Sequence, residues 1–307
     1  MRMMGVAMDA ADRISLLQTF IRIVESGSLS AAARQLRTTQ PTVSRRLKAL
    51  EALLGVELIK RTTHAMKLTD DGERCYRHAR AVSDGWSALR DDLSGGEEEP
   101  QGLLRVRAPH AFGQDQLIGP LTELLFRHGG LSVDWVLNDR SPNFMADNID
   151  CAVLVGETTD PASVVVPIGQ VPRIVVAAPS LLARHGPVTG PEDLATLPWL
   201  ALSTFYRAEV ALHRCGGQET RRFAIQPRFA TDSLYAVHRV ALTGLGAAVV
   251  SRWAVLEDLA AGRLVHLAPD WQADPLPVHL VYPYASYYPA RLRAFLRMIR
   301  QEMPKLL

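Results

Sequence analysis

Six residues within nine positions carry the sharpest chemistry in this chain: Gln40, Pro41, Thr42, Ser44, Arg45 and Lys48. Arginine or lysine donates to guanine, glutamine bonds adenine, and hydroxyls reach bases or phosphates, so the set suits a DNA major groove. The spacing works if the segment is a helix. Val43, Leu47, Leu50 and Leu54 then form an inward stripe, which leaves Thr42, Ser44, Arg45 and Lys48 facing outward. Gln40 and Pro41 fall at the leading tip, where proline is favoured because its missing amide would be unpaired anyway.

No other grouping of reactive residues has comparable spacing. Cys75, Cys151 and Cys215 are far apart and odd in number, which argues against a disulfide framework and fits a reducing cytoplasm. Either Cys151 or Cys215 could serve a redox response, although an isolated cysteine is more often a small buried apolar residue. Cys75 and His78 sit one helical turn apart but lack the second pair that a metal site needs. His110, His185 and His213 have no serine or cysteine in a nucleophile-type turn, and Ser203 lacks a glycine-flanked elbow, so no enzyme is implied. Gly244-Leu245-Gly246-Ala247 shares part of a dinucleotide fingerprint. It follows a helical pattern and precedes a strand, the reverse of the required order, so it reads as a helix C-cap and no cofactor is implied.

The elements that must position the six residues are legible from periodicity. Leu17, Phe20, Ile21 and Val24 give a first helix an apolar face, ended by Gly27. Ser28 is placed to cap a second helix whose buried side is Leu29, Ala32, Ala33 and Leu36. The polar turn Arg37-Thr38-Thr39 leads to the third helix. Beyond Gly55, the runs Val56 to Ile59 and Arg61 to Thr69 read as two short strands around a basic turn, a wing. Residues 12 to 68 hold ten Lys or Arg against four Asp or Glu, a formal +6, while the whole chain carries +2. The remainder therefore sums to −4, and the basic surface lies where a duplex would bind.

From Asp70 the pattern changes. Cys75, Ala79, Val82, Trp86, Leu89 and Leu93 recur at four- and three-residue spacing, a heptad seam on a long helix. A second copy of the chain would cover that seam, or it packs on its own domain. The run from Ser94 to Gly102, rich in glycine and glutamate, is a flexible boundary. Beyond it, β-branched runs at Leu103 to Ala108, Leu131 to Leu137 and Cys151 to Val155 alternate with helical stretches such as Leu117 to His128. A second set runs from Ile174 through Leu234 to Leu242 and Ala247 to Val250, with Val278 to Tyr282 preceding a last amphipathic helix, Ala290 to Met303. Two α/β lobes are expected. At 48% hydrophobic and 307 residues the chain can bury several cores. No apolar run approaches the roughly 20 residues that span a bilayer, so a cytoplasmic protein with no membrane partner is expected.

The order GSLSAAARQL, TQPTVSRRLKALEALLGVELIKRT, KLTDDG resembles the winged helix-turn-helix of LysR-type bacterial transcriptional regulators. The likeness continues through LLRVRAPHAFG, IDCAVLVG, RIVVAAPSLLARHG and LTGLGAAVVSRWAVLEDLAAGRLVHL. One departure is Ile59-Lys60, where an aromatic is common before the arginine. The resemblance implies an α+β multi-domain chain: a DNA-binding domain at 1–69, a linker helix for dimerisation at 70–94, a hinge at 95–102, and an effector domain at 103–307 similar to a type 2 periplasmic binding protein. Lobe I would be about 103–170 and 276–307 and lobe II about 171–275, joined by crossing segments near 165–173 and 266–277. It implies that Gln40, Pro41, Thr42, Ser44, Arg45 and Lys48 read bases, with Arg34 and Arg61 near the backbone.

The same resemblance implies a small-molecule effector between the lobes, where strand ends and helix starts offer free amides. The candidates are Pro109, His110, Ala111, Phe112, Asn138 and Asp139 on one side. Facing them are Thr204, Phe205, Tyr206, Thr231, Asp232 and Ser233. Arg107 stands where similar sequences have a small hydroxyl; it either faces the cleft and favours an anionic effector or forms a local salt bridge. A homodimer would meet an interrupted inverted repeat in double-stranded DNA; family members commonly assemble as homotetramers, and an activator would also contact RNA polymerase. The competing reading is a cytoplasmic small-molecule-binding protein whose head does not bind DNA.

Overall fold

The computed structural model describes residues 10–61, 66–94, 99–144, 146–158, 162–285 and 287–307. It divides into two compact units, residues 1–100 with 285–290, and residues 101–284 with 291–307. The tip of the wing, 62–65, and the first half of the hinge, 95–98, lie outside the described residues.

The first unit begins with three helices, α1 (Ala10–Ser26), α2 (Leu29–Gln35) and α3 (Gln40–Leu54). The starts of α2 and α3 have a chemical cause. The Ser28 hydroxyl accepts from the Ala31 amide at 3.0 Å, and the Thr39 hydroxyl accepts from the Thr42 amide at 3.4 Å, so orphan first-turn donors are satisfied. Pro41 occupies the first turn of α3, and Gly55 ends it in the left-handed region. The core takes Phe20 and Ile23 from α1, Ala32 and Ala33 from α2, and Val43, Leu47 and Leu50 from α3. Four expected core positions differ, among them Leu36, which is only half-buried. On α1, Leu16 and Ile23 are buried while Leu17 and Val24 are only half-buried, a one-residue rotation of the stripe. Leu54 is 45% exposed because it is the last residue of α3, where nothing packs over the terminus.

A hairpin of β1 (Ile59–Arg61) and β2 (Met66–Leu68) follows, antiparallel, with Ile59 opposite Leu68. The Leu58 amide donates to the Glu51 carboxylate at 2.9 Å, tying the hairpin's start to α3. The long helix α4 (Asp70–Ser94) is capped by Thr69, whose hydroxyl accepts from the Gly72 amide at 2.8 Å and donates to the Glu57 carbonyl at 2.7 Å. Gly72 has to be glycine. A β-carbon there would lie 2.1 Å from the Leu58 carbonyl oxygen.

The second unit joins a lobe built on three parallel strands to a second lobe through two long antiparallel strands. Parallel β3 (Gly102–Ala108), β4 (Leu131–Leu137) and β5 (Cys151–Val155) pair side by side, with a π-helical turn at Phe112–Gln116 and helix α5 (Ile118–Arg127) between β3 and β4. The crossing strand β6 (Ser163–Ala177) leads to helices α6 (Pro179–His185) and α7 (Pro191–Leu194), then β7 (Trp199–Leu202). A hairpin of β8 (Glu209–Arg214) and β9 (Thr220–Ala224) precedes β10 (Pro227–Thr231), which runs parallel to β7. Helix α8 (Leu234–Leu242), strand β11 (Ala248–Ser251), a 3-10 turn at Arg252–Val255, α9 (Leu256–Ala260) and the short β12 (Val265–His266) complete that lobe. Strand β13 (Trp271–Pro283) crosses back and α10 (Ala290–Leu306) ends the chain.

Strands β6 and β13 are antiparallel from Ser163 opposite Pro283 to Arg173 opposite Ala273, and the sheet order is β11-β6-β13-β5-β3-β4. Both crossings therefore belong to one continuous ribbon shared by two lobes; the resemblance implied two crossing segments but not their pairing. Gly244 follows α8 with a positive φ of 74°, and β11 comes next, so Gly244 serves as the helix end, while a β-carbon at Gly246 would lie 2.7 Å from the Pro198 carbonyl oxygen.

Candidate functional site

The face of α3 is set by its own amphipathicity. With Val43, Leu47 and Leu50 buried, Gln40, Pro41, Arg45 and Lys48 are exposed, and Thr42 and Ser44 half-exposed. The Thr42 hydroxyl lies 2.9 Å from that of Thr39, and Arg45 donates to Thr42 at 3.5 Å, so the tip is partly pre-ordered. Arg46 points the other way and donates to the Thr19 hydroxyl at 3.4 Å, which binds α3 to α1 rather than offering a contact outward. Arg34 is exposed on α2. Arg61 lies in β1 opposite Met66; its side chain is outside the description. Arg37 was not singled out from sequence, yet it is an exposed cation held at φ 49° in the turn before α3.

Helix α4 divides its heptad stripe between two environments. Ala79 is buried and Cys75 half-buried against the core of the first unit, joined by Tyr76, whose ring meets Phe20 edge-on at 6.4 Å. Further along, Val82, Trp86 and Leu89 are 50%, 44% and 42% exposed. The first half of the stripe thus packs on its own domain, and the second half is left exposed. Leu93 belongs to the helix, but its side chain is not described.

In the second unit, a cavity of about 70 Å³ lies between the lobes. Pro109, His110, Ala111, Phe112 and Asp139 line it from lobe I, and Thr204, Phe205, Tyr206 and Asp232 from lobe II. Two contacts close it. Phe112 and Trp253 stack with centroids 5.1 Å apart, and the Tyr235 hydroxyl donates to the Ala111 carbonyl at 3.3 Å. A polar mouth adjoins the cavity, shared by His110, Asp139, Thr204, Phe205 and Asp232 and extended by Asn138, Arg140 and Arg207. His110 and Asp139 are bonded twice, backbone amide to Oδ1 at 3.1 Å and Nδ1 to Oδ2 at 2.8 Å.

Four expected residues sit elsewhere. Of the two roles open to Arg107, the structure shows the local one. Period-two alternation on β3 sends its guanidinium to Asp147 at 2.8 Å, away from the cavity wall, and it is 7% exposed. Asn138 reaches only the mouth, where its side-chain oxygen accepts from the Arg140 amide at 2.8 Å. Thr231 accepts from the Ser233 amide at 3.2 Å, and Ser233 caps α8 by accepting from the Ala236 amide at 3.3 Å. Neither lines the cavity, because both side chains satisfy backbone donors at the β10–α8 turn.

Sequence reasoning missed Arg173 and Trp253. Arg173, on crossing strand β6, is 8% exposed and lines the cavity, its guanidinium 4.9 Å from the Tyr206 ring centroid and 5.6 Å from that of Phe205. Its Nε donates to the Asp274 carbonyl at 2.6 Å. The signal was present: a guanidinium inside the β-branched run Val171 to Val176 is a rare buried charge. Burial lowers the pKa of Arg173 and raises that of Tyr206 well above the usual phenol.

The cysteines separate by environment. Cys151 is wholly buried and its thiol is pushed well up by desolvation, and secondarily by the Asp150 charge, whereas Cys215 is exposed. Among the described residues no group of three or more His, Cys, Asp or Glu is arranged to hold a metal, and no helix is long and apolar enough to cross a membrane.

Comparison with known proteins connects both regions. Residues 14–73 match the family described as bacterial regulatory helix-turn-helix protein, lysR family, and residues 97–304 match the LysR substrate binding domain. The transcriptional regulator PtxR of Pseudomonas aeruginosa is 30% identical over 98% of this chain and 96% of its own length. The transcriptional activator AaeR of Escherichia coli is 30% identical over 94% and 93%. Among solved structures, CrgA of Neisseria meningitidis, a LysR-type transcriptional regulator, is 28% identical over 94% of this chain and 98% of its own, with a TM-score of 0.60.

Proposed function

The chain belongs to the LysR family of bacterial DNA-binding transcriptional regulators, and on that premise we propose which of its residues perform each part of the work. The exposed face of α3 reads the operator: Arg45 and Lys48 reach base edges or phosphate, Gln40 and Pro41 lead into the major groove, and Thr42 and Ser44 supply hydroxyls. Arg34 and Arg61 grip the backbone on either side. The observation that carries this reading is that the buried stripe of α3 leaves these polar and cationic residues outward on a head whose formal charge is +6 over residues 12–68.

Val82, Trp86 and Leu89 pair two copies of α4 into a homodimer, which presents two α3 helices to an interrupted inverted repeat. Tetramers form through further contacts, RNA polymerase is the additional partner where the outcome is activation, and the protein works in the bacterial cytoplasm. The cavity between the lobes receives the small-molecule effector. Effector affinity and operator affinity are then coupled reciprocally, because one conformational equilibrium carries both.

The experiment is binding of the purified protein to its own upstream intergenic DNA against a scrambled duplex at two salt concentrations. Sequence-preferring binding that weakens steeply with salt supports the assignment. Equal weak binding to both, or none, removes the DNA role from α3 and leaves the cleft as the working part.

A further inference from the structure

We propose that the cavity selects a small monocarboxylate with an apolar body, held by Arg173 and Tyr206. The inference rests on the cleft being the effector site and adds the chemistry of what enters it. Arg173 is nine-tenths buried, and only its Nε is spoken for, by the Asp274 carbonyl. Among the described residues no carboxylate forms an ion pair with it and its Nη atoms have no hydrogen-bond acceptor. The Asp274 charge acts on it without forming an ion pair; a buried guanidinium lacking a bonded acid is costly, and a carboxylate offers two oxygens that match its fork.

The Tyr206 hydroxyl is the second observation. It is fully buried, belongs to a residue that lines the same cavity beside Arg173, and has no hydrogen-bond partner among the described residues. A protonated phenol beside a guanidinium makes a pair of donors that wants one anion. The acids are disposed differently. Asp139 and Asp232 belong to the mouth as well as the cavity, and Asp139 is already engaged by His110, whereas Arg173 and Tyr206 line the inner cavity alone.

Much of the remaining wall is apolar, with Leu154, Val171, Leu202 and Leu276 beside the stacked Phe112 and Trp253, while His110, Thr204 and Ser251 add polar groups. About 70 Å³ accepts roughly five to seven water-sized groups. That suits a short branched chain, or one ring reaching into the mouth, attached to a single carboxylate. Neutral amides of the same shape retain the body and lose the charge.

The test is calorimetric titration of the full-length protein with isobutyrate and benzoate against isobutyramide and benzamide, with tryptophan fluorescence of wild type and Trp253→Phe compared. We expect each carboxylate to bind at least about tenfold tighter than its amide. A fluorescence change present in wild type and lost in Trp253→Phe would place the ligand beside Trp253. Arg173→Gln should erase the preference and Arg173→Lys restore part of it. Tyr206→Phe, which keeps the ring and its packing, should weaken the carboxylates severalfold without altering unfolding of the free protein.

Amides that bind as well as the acids, still reported by Trp253, would overturn charge selection while leaving the cleft as the site. Binding of the acids that ignores Arg173, Tyr206 and Trp253 would overturn the cleft reading with it. No binding of either acid would overturn the monocarboxylate class, whatever the DNA experiment shows.

Discussion

The two units build their sites by opposite means. In the head, the residues assigned to DNA lie between Arg34 and Arg61, and most of them share one helix whose buried stripe dictates what faces out. In the second unit, the cavity gathers Pro109, Tyr206, Trp253 and Leu276, which are brought together only because β6 and β13 carry both lobes on one ribbon. An outward helical face needs a core beneath it. A cavity needs two lobes to close, and its chemistry is decided by which buried groups remain unpartnered.

The largest expected effect tests whether the units are energetically separate. Phe20 is fully buried in the head, and Phe20→Ala should cost about 3–5 kcal/mol. Calorimetry should show a transition lowered for the head and unchanged for the effector unit; a uniform shift of both would break the comparison. Trp86→Asp comes next. A charge in the exposed half of the α4 stripe should yield monomers by sedimentation, and a surviving dimer would move the seam elsewhere.

Arg45→Ala should cost on the order of 1–3 kcal/mol of specific operator binding, read by fluorescence anisotropy, with the fold intact because Arg45 is exposed. A retained footprint would undo the groove assignment. The smallest effect is at a helix end. Ser28→Ala removes the acceptor for the Ala31 amide and should lower the head's stability by about 1 kcal/mol, measured by denaturant midpoint. Loss of DNA affinity beyond that would mean α2's cap also sets the pose of α3.

Most of the head was legible because its signals are local. Ser28, the Gln40–Pro41 start and Gly55 mark ends whose unpaired backbone groups must be satisfied nearby, and the α3 stripe follows from 3.6-residue periodicity. The rotation of the α1 stripe was not legible, since Leu16, Leu17, Ile23 and Val24 are all apolar and only the packing of α2, α3 and α4 chooses among them. In α4 the heptad spacing identified the apolar face, but not that Tyr76 and Ala79 would spend half of it on their own head.

The sequence by itself determined the family, the basic head, the outward polar face of α3, and the alternation of strands and helices that makes two lobes, because each is written in neighbouring residues. Tertiary structure decided the cleft. It turned Arg107 to Asp147, spent Thr231 and Ser233 on backbone donors, and put Arg173 beside Tyr206. The physical reason is that a side chain's partner across a sheet is set by register and strand crossing. Arg173 meets Ala273 and the Asp274 carbonyl a hundred residues away, and no local pattern of residues encodes that distance.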